Sequence, residues 1–301
     1  MKLSNRFQPR EAPKGVRHFR QEQRLPSAAS PGDSFTLGTY NVKNLFDDEN
    51  QDPKLGTVEK PEAELAALAR NIERSGADVF TLQEVENLPV LEKFLNDYLP
   101  GKFSEVVLVE GNDGRGIDVA VISKFPVSKV VSHKEDRFPL ADGSAETSFN
   151  RDLLRVDLDV KGIPFSVYTS HFKSKRGGQR AENERVAEAQ QTRRILAREM
   201  APYERHNFVV TGDLNDTPDS KTLQVLTQPW EGQEALYNSL ESLSDAERRT
   251  FPSKKPKDQL DHILMPQHLR DNLVESSVYR DHDSKMASDH LMVKATFRLQ
   301  G

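Results

Sequence analysis

A series of short runs rich in Val, Ile, Phe and Tyr, separated by turn residues, constrains the fold of this chain more than any other feature. Such runs are typical of β-strands. Two of them, Leu153–Val160 and Phe165–Ser170, flank a turn at Gly162 and predict a hairpin. The other predicted strands are Phe35–Val42, Val79–Val85, Ile117–Ile122, Phe208–Thr211, Leu260–Met265 and Leu291–Phe297.

Two longer segments predict helices, and both lie between predicted strands. The first places leucine and isoleucine on one face and is followed by glycine, and the second is rich in Ala, Glu, Gln and Arg. A short helix is also expected after Asp219 or Ser220. Because strands outnumber helices and many neighbours follow in hairpin order, we predict an α/β (α+β) fold with mixed, mostly antiparallel sheets and helices outside. The two longer helices span Pro61–Arg74 and Ala181–Met200.

Composition limits the chemistry. The chain has 301 residues, 36% of them hydrophobic, which is enough for a real core. It has no cysteine, which excludes disulfides, thiolate metal sites and cysteine nucleophiles. A net charge of −5 argues against a protein that holds nucleic acid by charge alone, although a local basic rim around a bound cation remains open.

The N-terminal segment differs in composition from the rest of the chain. It is rich in Arg, Gln, Pro and Ser and lacks the apolar centre of a signal peptide. We therefore expect a flexible tail over residues 1–33 and a single domain over residues 34–301. No stretch is apolar enough to span a membrane. The expectation is a soluble monomer, either cytoplasmic or secreted with its signal sequence outside this chain, with no stable protein partner and no membrane association.

Polar side chains recur at the ends of the predicted strands. In open α/β architectures, ligands bind in the crevice where strand ends converge. Carboxylates and amide oxygens without thiolates suit a hard cation, Mg²⁺ or Mn²⁺, with Ca²⁺ as the alternative. Any one of these residues is more often a turn former or a solvated side chain, but their recurrence predicts one shared site. The residues are Asn41, Glu84, His171, Asp213, Asn215, Asp261, Asp289 and His290.

The ordered motifs TYNVKNLF, LQEVEN, GIDVAVISKFP, SHFKSK, TGDLNDTP, LDHIL and SDHLMV cover most of the chain from Phe35 to Phe297. In this order they resemble the endonuclease/exonuclease/phosphatase superfamily, the deoxyribonuclease I-like fold, and in particular its bacterial nuclease-type members. The resemblance implies a four-layer αββα sandwich with two sheets packed face to face and helices outside. It also implies a metal-dependent hydrolase acting on phosphate esters.

The resemblance assigns a role to each candidate residue. It implies that Asn41, Glu84 and Asp289 hold the metal. It implies that Asp213 orients or deprotonates the attacking water and that Asn215 contacts the phosphate. It further implies two histidine–aspartate pairs in the catalytic group, His290 with Asp261 and His171 with Asp118. Arg151 and Lys173 resemble phosphate-binding residues, and for Arg151 a solvated loop arginine is the alternative.

Nucleic acid, DNA or RNA, is the expected substrate. Basic residues follow His171 directly and also precede Asp261, where they could track a polyanionic backbone. A phosphomonoesterase or a small-molecule or lipid phosphodiesterase is the first alternative, and a non-catalytic binding module is the second. No aromatic residue immediately precedes LDHIL, which makes an abasic-site endonuclease less favoured. The basic residues are Lys173, Lys175, Arg176 and Arg180 in one group and Lys254, Lys255 and Lys257 in the other.

Overall fold

The computed structural model describes residues 16–18, 33–49, 52, 54–200, 206–252 and 258–299. Lys254, Lys255 and Lys257 lie outside these residues. The strands are β1 (Val16–His18), β2 (Ser34–Leu45), β3 (Val79–Val85), β4 (Glu105–Leu108), β5 (Asp118–Ser123), β6 (Val127–Ser132), β7 (Phe138–Pro139), β8 (Glu146–Thr147), β9 (Leu154–Val160), β10 (Ile163–His171), β11 (Asn207–Asp213), β12 (Tyr237–Asn238), β13 (Asp261–Met265), β14 (Leu273–Val278) and β15 (Val293–Arg298). The helices are α1 (Glu62–Ser75), α2 (Leu88–Tyr98), α3 (Gly178–Met200), α4 (Lys221–Thr227), α5 (Gln267–Arg270) and α6 (Ser284–Ala287).

Two large sheets carry the fold, and each has one parallel pair near its centre. The first sheet has the order β1-β4-β5-β3-β2-β15-β14, in which only β2 and β3 are parallel. The second has the order β12-β13-β11-β10-β9-β6, in which only β10 and β11 are parallel. Strands β7 and β8 form a separate small hairpin. The predicted mixed, mostly antiparallel sheets are confirmed.

Three hydrophobic clusters fill the spaces between four layers. The inner cluster joins Leu37 and Val121 of the first sheet to Val167 and Val209 of the second. On the outer face of the first sheet, residues of α1 and α2 pack against Phe80 and Leu82 in the second cluster. On the outer face of the second sheet, α3 and α4 pack against Tyr168 and Val210 in the third. This is the predicted αββα sandwich.

The inner faces of the sheets become polar toward one edge. Along β2 the inward residues run Phe35, Leu37, Thr39 and Asn41, because side chains of a strand alternate between its two faces. Along β11 the same alternation ends in Asp213. The carboxyl ends of both parallel pairs therefore meet at one edge, with a polar end to an otherwise apolar core.

The structure contains elements that the sequence pattern did not predict. Strands β4 and β6 and helix α2 were not predicted. None of the described helices is both long and apolar enough to cross a membrane. Within the expected tail, Val16–His18 forms β1 and pairs antiparallel with β4. That short strand differs from a free tail because it supplies backbone partners to the edge of the first sheet.

Candidate active site

Glu84 reaches the polar edge through a β-bulge. Gln83 pairs with Val119 and Val85 with Asp118, so Glu84 is an extra residue in β3, with φ of 65°. A positive φ is uncommon for a glutamate, and such backbone conformations cluster at functional sites. Without the bulge, alternation would direct Glu84 to the outer face; with it, the carboxylate accepts hydrogen bonds from Asn41 Nδ2 at 3.1 Å and Asn44 N at 3.1 Å.

The end of β11 and the loop that follows it both contain residues with positive φ. Gly212 has φ of 129°, and a Cβ built there would lie 1.9 Å from the Ser170 carbonyl oxygen. Glycine is therefore required for β10 and β11 to approach so closely immediately before Asp213. Asn215 follows in the left-handed region with φ of 53°; its backbone N donates to Asp213 Oδ1 at 2.9 Å and its amide donates to the Phe172 carbonyl at 3.0 Å.

Asp213 and Asn41 link the two sheets at this edge. Asn41 Nδ2 donates to Asp213 Oδ2 at 3.1 Å as well as to Glu84. Burial raises the pKa of Asp213 to about 7, with Asp261 adding to the shift and the charge of His290 opposing it. A carboxylate whose pKa lies near neutrality is suited to accept a proton from water.

His290 and Asp261 form the predicted pair. His290 Nδ1 lies 2.8 Å from Asp261 Oδ2, and His290 Nε2 lies 3.7 Å from Asp213 Oδ2. Burial alone would lower the pKa of His290, but the carboxylates of Asp261 and Asp213 outweigh it and raise the pKa to about 10. The imidazole is therefore a cation at neutral pH. Its Nε2–H has no hydrogen-bond acceptor among the described residues and is available to a ligand.

Glu84, Asp213, Asn215 and His290 line a cavity of about 1050 Å³, whereas Asn41 and Asp261 are buried and do not line it. Phe251 also lines it, and its ring lies 4.9 Å from the His290 ring, measured between centroids. Phe251 was not predicted to belong to the site, because it precedes Asp261 by ten positions in the chain rather than directly. Backbone bonds from Thr250 and Phe251 to the Asp258 carbonyl hold the ring beside the histidine. The cavity thus has an aromatic wall next to the pair of His290 and Asp261.

The expected pair of His171 with Asp118 does not form. Asp118 stands at the start of β5, and its Oδ1 accepts from Gly111 N at 2.7 Å, which directs the carboxylate into the β4–β5 loop. His171 Nε2 instead lies 3.4 Å from Asp213 Oδ2, and His171 Nδ1 is buried without a hydrogen-bond partner. Burial, together with the charges of Arg151 and His290, lowers the pKa of His171 well below its ordinary value. His171 is therefore neutral.

The two predicted phosphate-binding cations differ in position. Arg151 lines the cavity, and its Nε lies 2.9 Å from Asp113 Oδ2. Lys173 does not line it; its ammonium lies 3.4 Å from Glu184 on α3, because the side chain turns outward after His171. Lys175 and Arg176, two and three residues further along, line the cavity instead.

Sequence comparison identifies the family of this chain. The model of the endonuclease/exonuclease/phosphatase family matches residues 36–301. The chain belongs to this family. Its members are metal-dependent phosphoesterases, and in this chain Asp213, Asp261 and His290 form a buried candidate catalytic site. A comparison with curated protein sequences finds no significant match.

Solved structures of the family have the same fold. An endonuclease/exonuclease/phosphatase from Bacteroides vulgatus aligns with a TM-score of 0.63 and 16% identity over 89% of this chain and 100% of its own. The human Nocturnin catalytic domain with bound sulfate anion aligns with a TM-score of 0.62 and 17% identity, over 88% of this chain and 94% of its own. Truncated Caenorhabditis elegans TDP2 aligns with a TM-score of 0.59 and 18% identity, over 88% of this chain and 98% of its own. At sequence identities of 16–18%, the similarity to these structures shows a shared fold.

The family implies a divalent cation, and the donors at the polar edge fit one. Glu84 and Asp289 line the cavity, and within the described chain no lysine or arginine nitrogen lies within 4.0 Å of either carboxylate. Oxygen donors with uncompensated negative charge are what a hard cation requires. Asp213, Asp261 and His290 also offer ligand atoms within 4.8 Å of one another, but Asp261 already accepts from His290 Nδ1.

Proposed function

We propose that this protein is a divalent-metal-dependent phosphodiesterase that hydrolyses nucleic acid, DNA or RNA. The observation that carries the proposal is the placement of a cationic His290 and a buried Asp213 side by side at a cavity whose walls include Lys43, Arg115 and Arg151. Cations on the walls of a cleft attract a phosphate-rich chain, while the two central groups supply the acid–base chemistry.

In this proposal the residues divide the work. Asp213, oriented by Asn41 Nδ2, accepts the proton of the attacking water as the water oxygen bonds to phosphorus. The ester P–O bond then breaks, and the leaving oxygen takes a proton from solvent. His290 donates from Nε2 to a phosphate oxygen, and Asp261 keeps the imidazole protonated and oriented. Asn215 contacts the phosphate through the remaining N–H of its amide. Asn41, Glu84 and Asp289 hold the cation, which when bound stabilises negative charge on the phosphate. His171 remains neutral and lies beside Asp213.

The test is a hydrolysis screen of the purified protein with Mg²⁺, Mn²⁺, Ca²⁺ or EDTA. The substrates are plasmid DNA, single-stranded DNA, RNA, bis-p-nitrophenyl phosphate and p-nitrophenyl phosphate. We expect cleavage of at least one polymer, lost in EDTA. Turnover of the monoester alone would contradict the proposal and would indicate a phosphomonoesterase that uses the same residues.

A further inference from the structure

Arg115 lies on the cavity wall in the loop between β4 and β5 and is held firmly. Its Nη2 donates to Asn44 Oδ1 at 2.6 Å and its Nε donates to the Leu55 carbonyl at 3.1 Å. Its backbone N donates to Asp113 Oδ1 at 2.9 Å. Both the loop and the guanidinium therefore have a defined orientation.

The partners of this guanidinium are neutral, and this distinguishes it from nearby cations. Arg151 and Lys175 each have a carboxylate within 2.9 Å, Asp113 and Asp216 respectively. For Arg115, the described residues include no carboxylate oxygen within 4.0 Å. Neutral acceptors fix the direction of a guanidinium without cancelling its charge, which leaves a preorganised donor for an anion.

Strand order places this cation at one end of the site. At the polar edge, β13 supplies Asp261 and the segment just before β15 supplies His290, while β2 and β3 supply Asn41 and Glu84. Strand β5 lies beyond β3 on the side away from β15, so Arg115 lies past Glu84 as seen from His290. Asn44 connects Arg115 to Glu84, because its backbone N donates to Glu84 Oε2 and its side-chain Oδ1 accepts from Arg115 Nη2.

We infer that Arg115 binds a second phosphate of the substrate, next to the one that is cleaved. The inference rests on the proposed function, in which Asp213 and His290 act on the scissile phosphate. Arg115 thereby determines specificity: it favours a strand with a further phosphate over an isolated diester. The aromatic wall at Phe251 lies at the opposite end, beside His290.

Binding to dinucleotides tests this inference separately from turnover. The probes are thymidylyl-thymidine and the same dinucleotide with a 5′-phosphate or with a 3′-phosphate. Affinities are measured in Mg²⁺ with Asp213→Asn protein, so that hydrolysis does not interfere, and again with Arg115→Gln, Arg115→Lys or Arg270→Gln added. Arg270 is the matched control, because its side chain is 44% exposed, pairs with Glu241 and lies outside the cavity.

We expect one phosphorylated probe to bind about 10- to 100-fold more tightly than the unphosphorylated one, as for a charge-assisted hydrogen bond. Arg115→Gln should remove that preference, Arg115→Lys should retain part of it, and Arg270→Gln should retain all of it. Equal affinities for all three probes, or a preference that survives Arg115→Gln, would overturn the inference. An Arg115-dependent preference, in a protein whose wild type hydrolyses neither these probes nor any polymer of the hydrolysis screen, would support the subsite and overturn the proposed function.

Discussion

Two buried histidines of this protein each bond a carboxylate, His290 at the open edge of the sheets and His133 on the outer face of the second sheet. His133 donates from both ring nitrogens, to the Leu153 carbonyl at 2.7 Å and to Glu199 Oε1 at 2.9 Å. His290 uses only Nδ1 for Asp261 and leaves Nε2 at the cavity. Both ring nitrogens of His133 are bonded within the protein, while His290 retains one ring nitrogen for a ligand.

The carboxylates differ in the same way. Burial raises the pKa of both Asp213 and Glu199, but hydrogen bonds from His133, Tyr168 and Arg155 outweigh burial at Glu199 and lower its pKa to about 2. Asp213 has a pKa of about 7. The network around Glu199 holds a stable anion and therefore stabilises the fold. The group around Asp213 holds an anion at the expense of stability, which is characteristic of a site that moves protons.

The largest effect is expected from His290→Ala. Loss of a general acid–base group typically lowers the rate by about 10²–10⁴-fold. Turnover of the best substrate from the hydrolysis screen and a circular-dichroism spectrum check this. His282→Ala is the matched control, because His282 is 75% exposed and outside the cavity. Near-normal turnover of folded His290→Ala protein would contradict the assigned role.

Arg155→Gln should affect stability rather than turnover. Arg155 donates to Asp157 at 2.7 Å and to Glu199 at 3.0 Å and is only 7% exposed. Removing one partner from a buried charge network costs about 3–5 kcal/mol. Urea unfolding should show this loss, with kcat per folded molecule unchanged. A large fall in kcat with unchanged stability would mean that the two networks are not separate.

The stability that Glu199 contributes should depend on pH in a defined window. The pKa of Glu199 falls from 4.5 to about 2 on folding, so its contribution is present above pH 4.5 and is lost as the pH falls toward 2. The pKa of His133 rises from 6.5, because its bonds to Glu199 and Leu153 outweigh burial, so its contribution is present below pH 6.5 and is lost at higher pH. Urea unfolding of wild type and Glu199→Gln should therefore differ most between pH 4.5 and 6.5, and a constant difference from pH 3 to 9 would contradict this.

Metal binding should give the smallest effect. A ligand at 100 times its Kd stabilises the folded state by about 2.7 kcal/mol, which raises the Tm of a domain of this size by several degrees. We expect Mg²⁺ or Mn²⁺ to raise the Tm of wild type but not of Glu84→Gln. Glu275→Gln, at an exposed glutamate of β14 outside the cavity, serves as control. An equal rise in all three proteins would place the cation elsewhere.

Much of the fold and of the site could be predicted from the sequence. The strands that carry Asn41, Glu84, Asp213 and Asp261 contain runs rich in Val, Ile, Leu and Phe, and the resemblance supplied their order. Strand β6 (VSKVVS) is half exposed and lacks such a run, so its pattern resembles a loop. Helix α2 is short and begins at Leu88 with a proline following, which obscured it.

The missed site residues have a common cause. Arg115 and Phe251 reach the cavity from loops, and no periodicity links them to the strand ends. The bulge that turns Glu84 inward depends on pairing between β3 and β5, which a single sequence does not display. The predicted position of Lys173 at the cavity was wrong for a related reason. The direction of a loop side chain, toward the cavity or toward α3, depends on the partner that it contacts, and Lys173 contacts Glu184 on α3.

The most direct test compares two isosteric substitutions, Asp213→Asn and Glu199→Gln, by kcat and by the free energy of unfolding. We expect Asp213→Asn to lower kcat by about 10²–10⁴-fold with stability unchanged or higher, since it removes a buried charge whose pKa is raised. We expect Glu199→Gln to leave kcat unchanged and to lower stability by about 3 kcal/mol. Retained turnover in Asp213→Asn, or the same response from both variants, would contradict the assignment of Asp213 as the catalytic carboxylate.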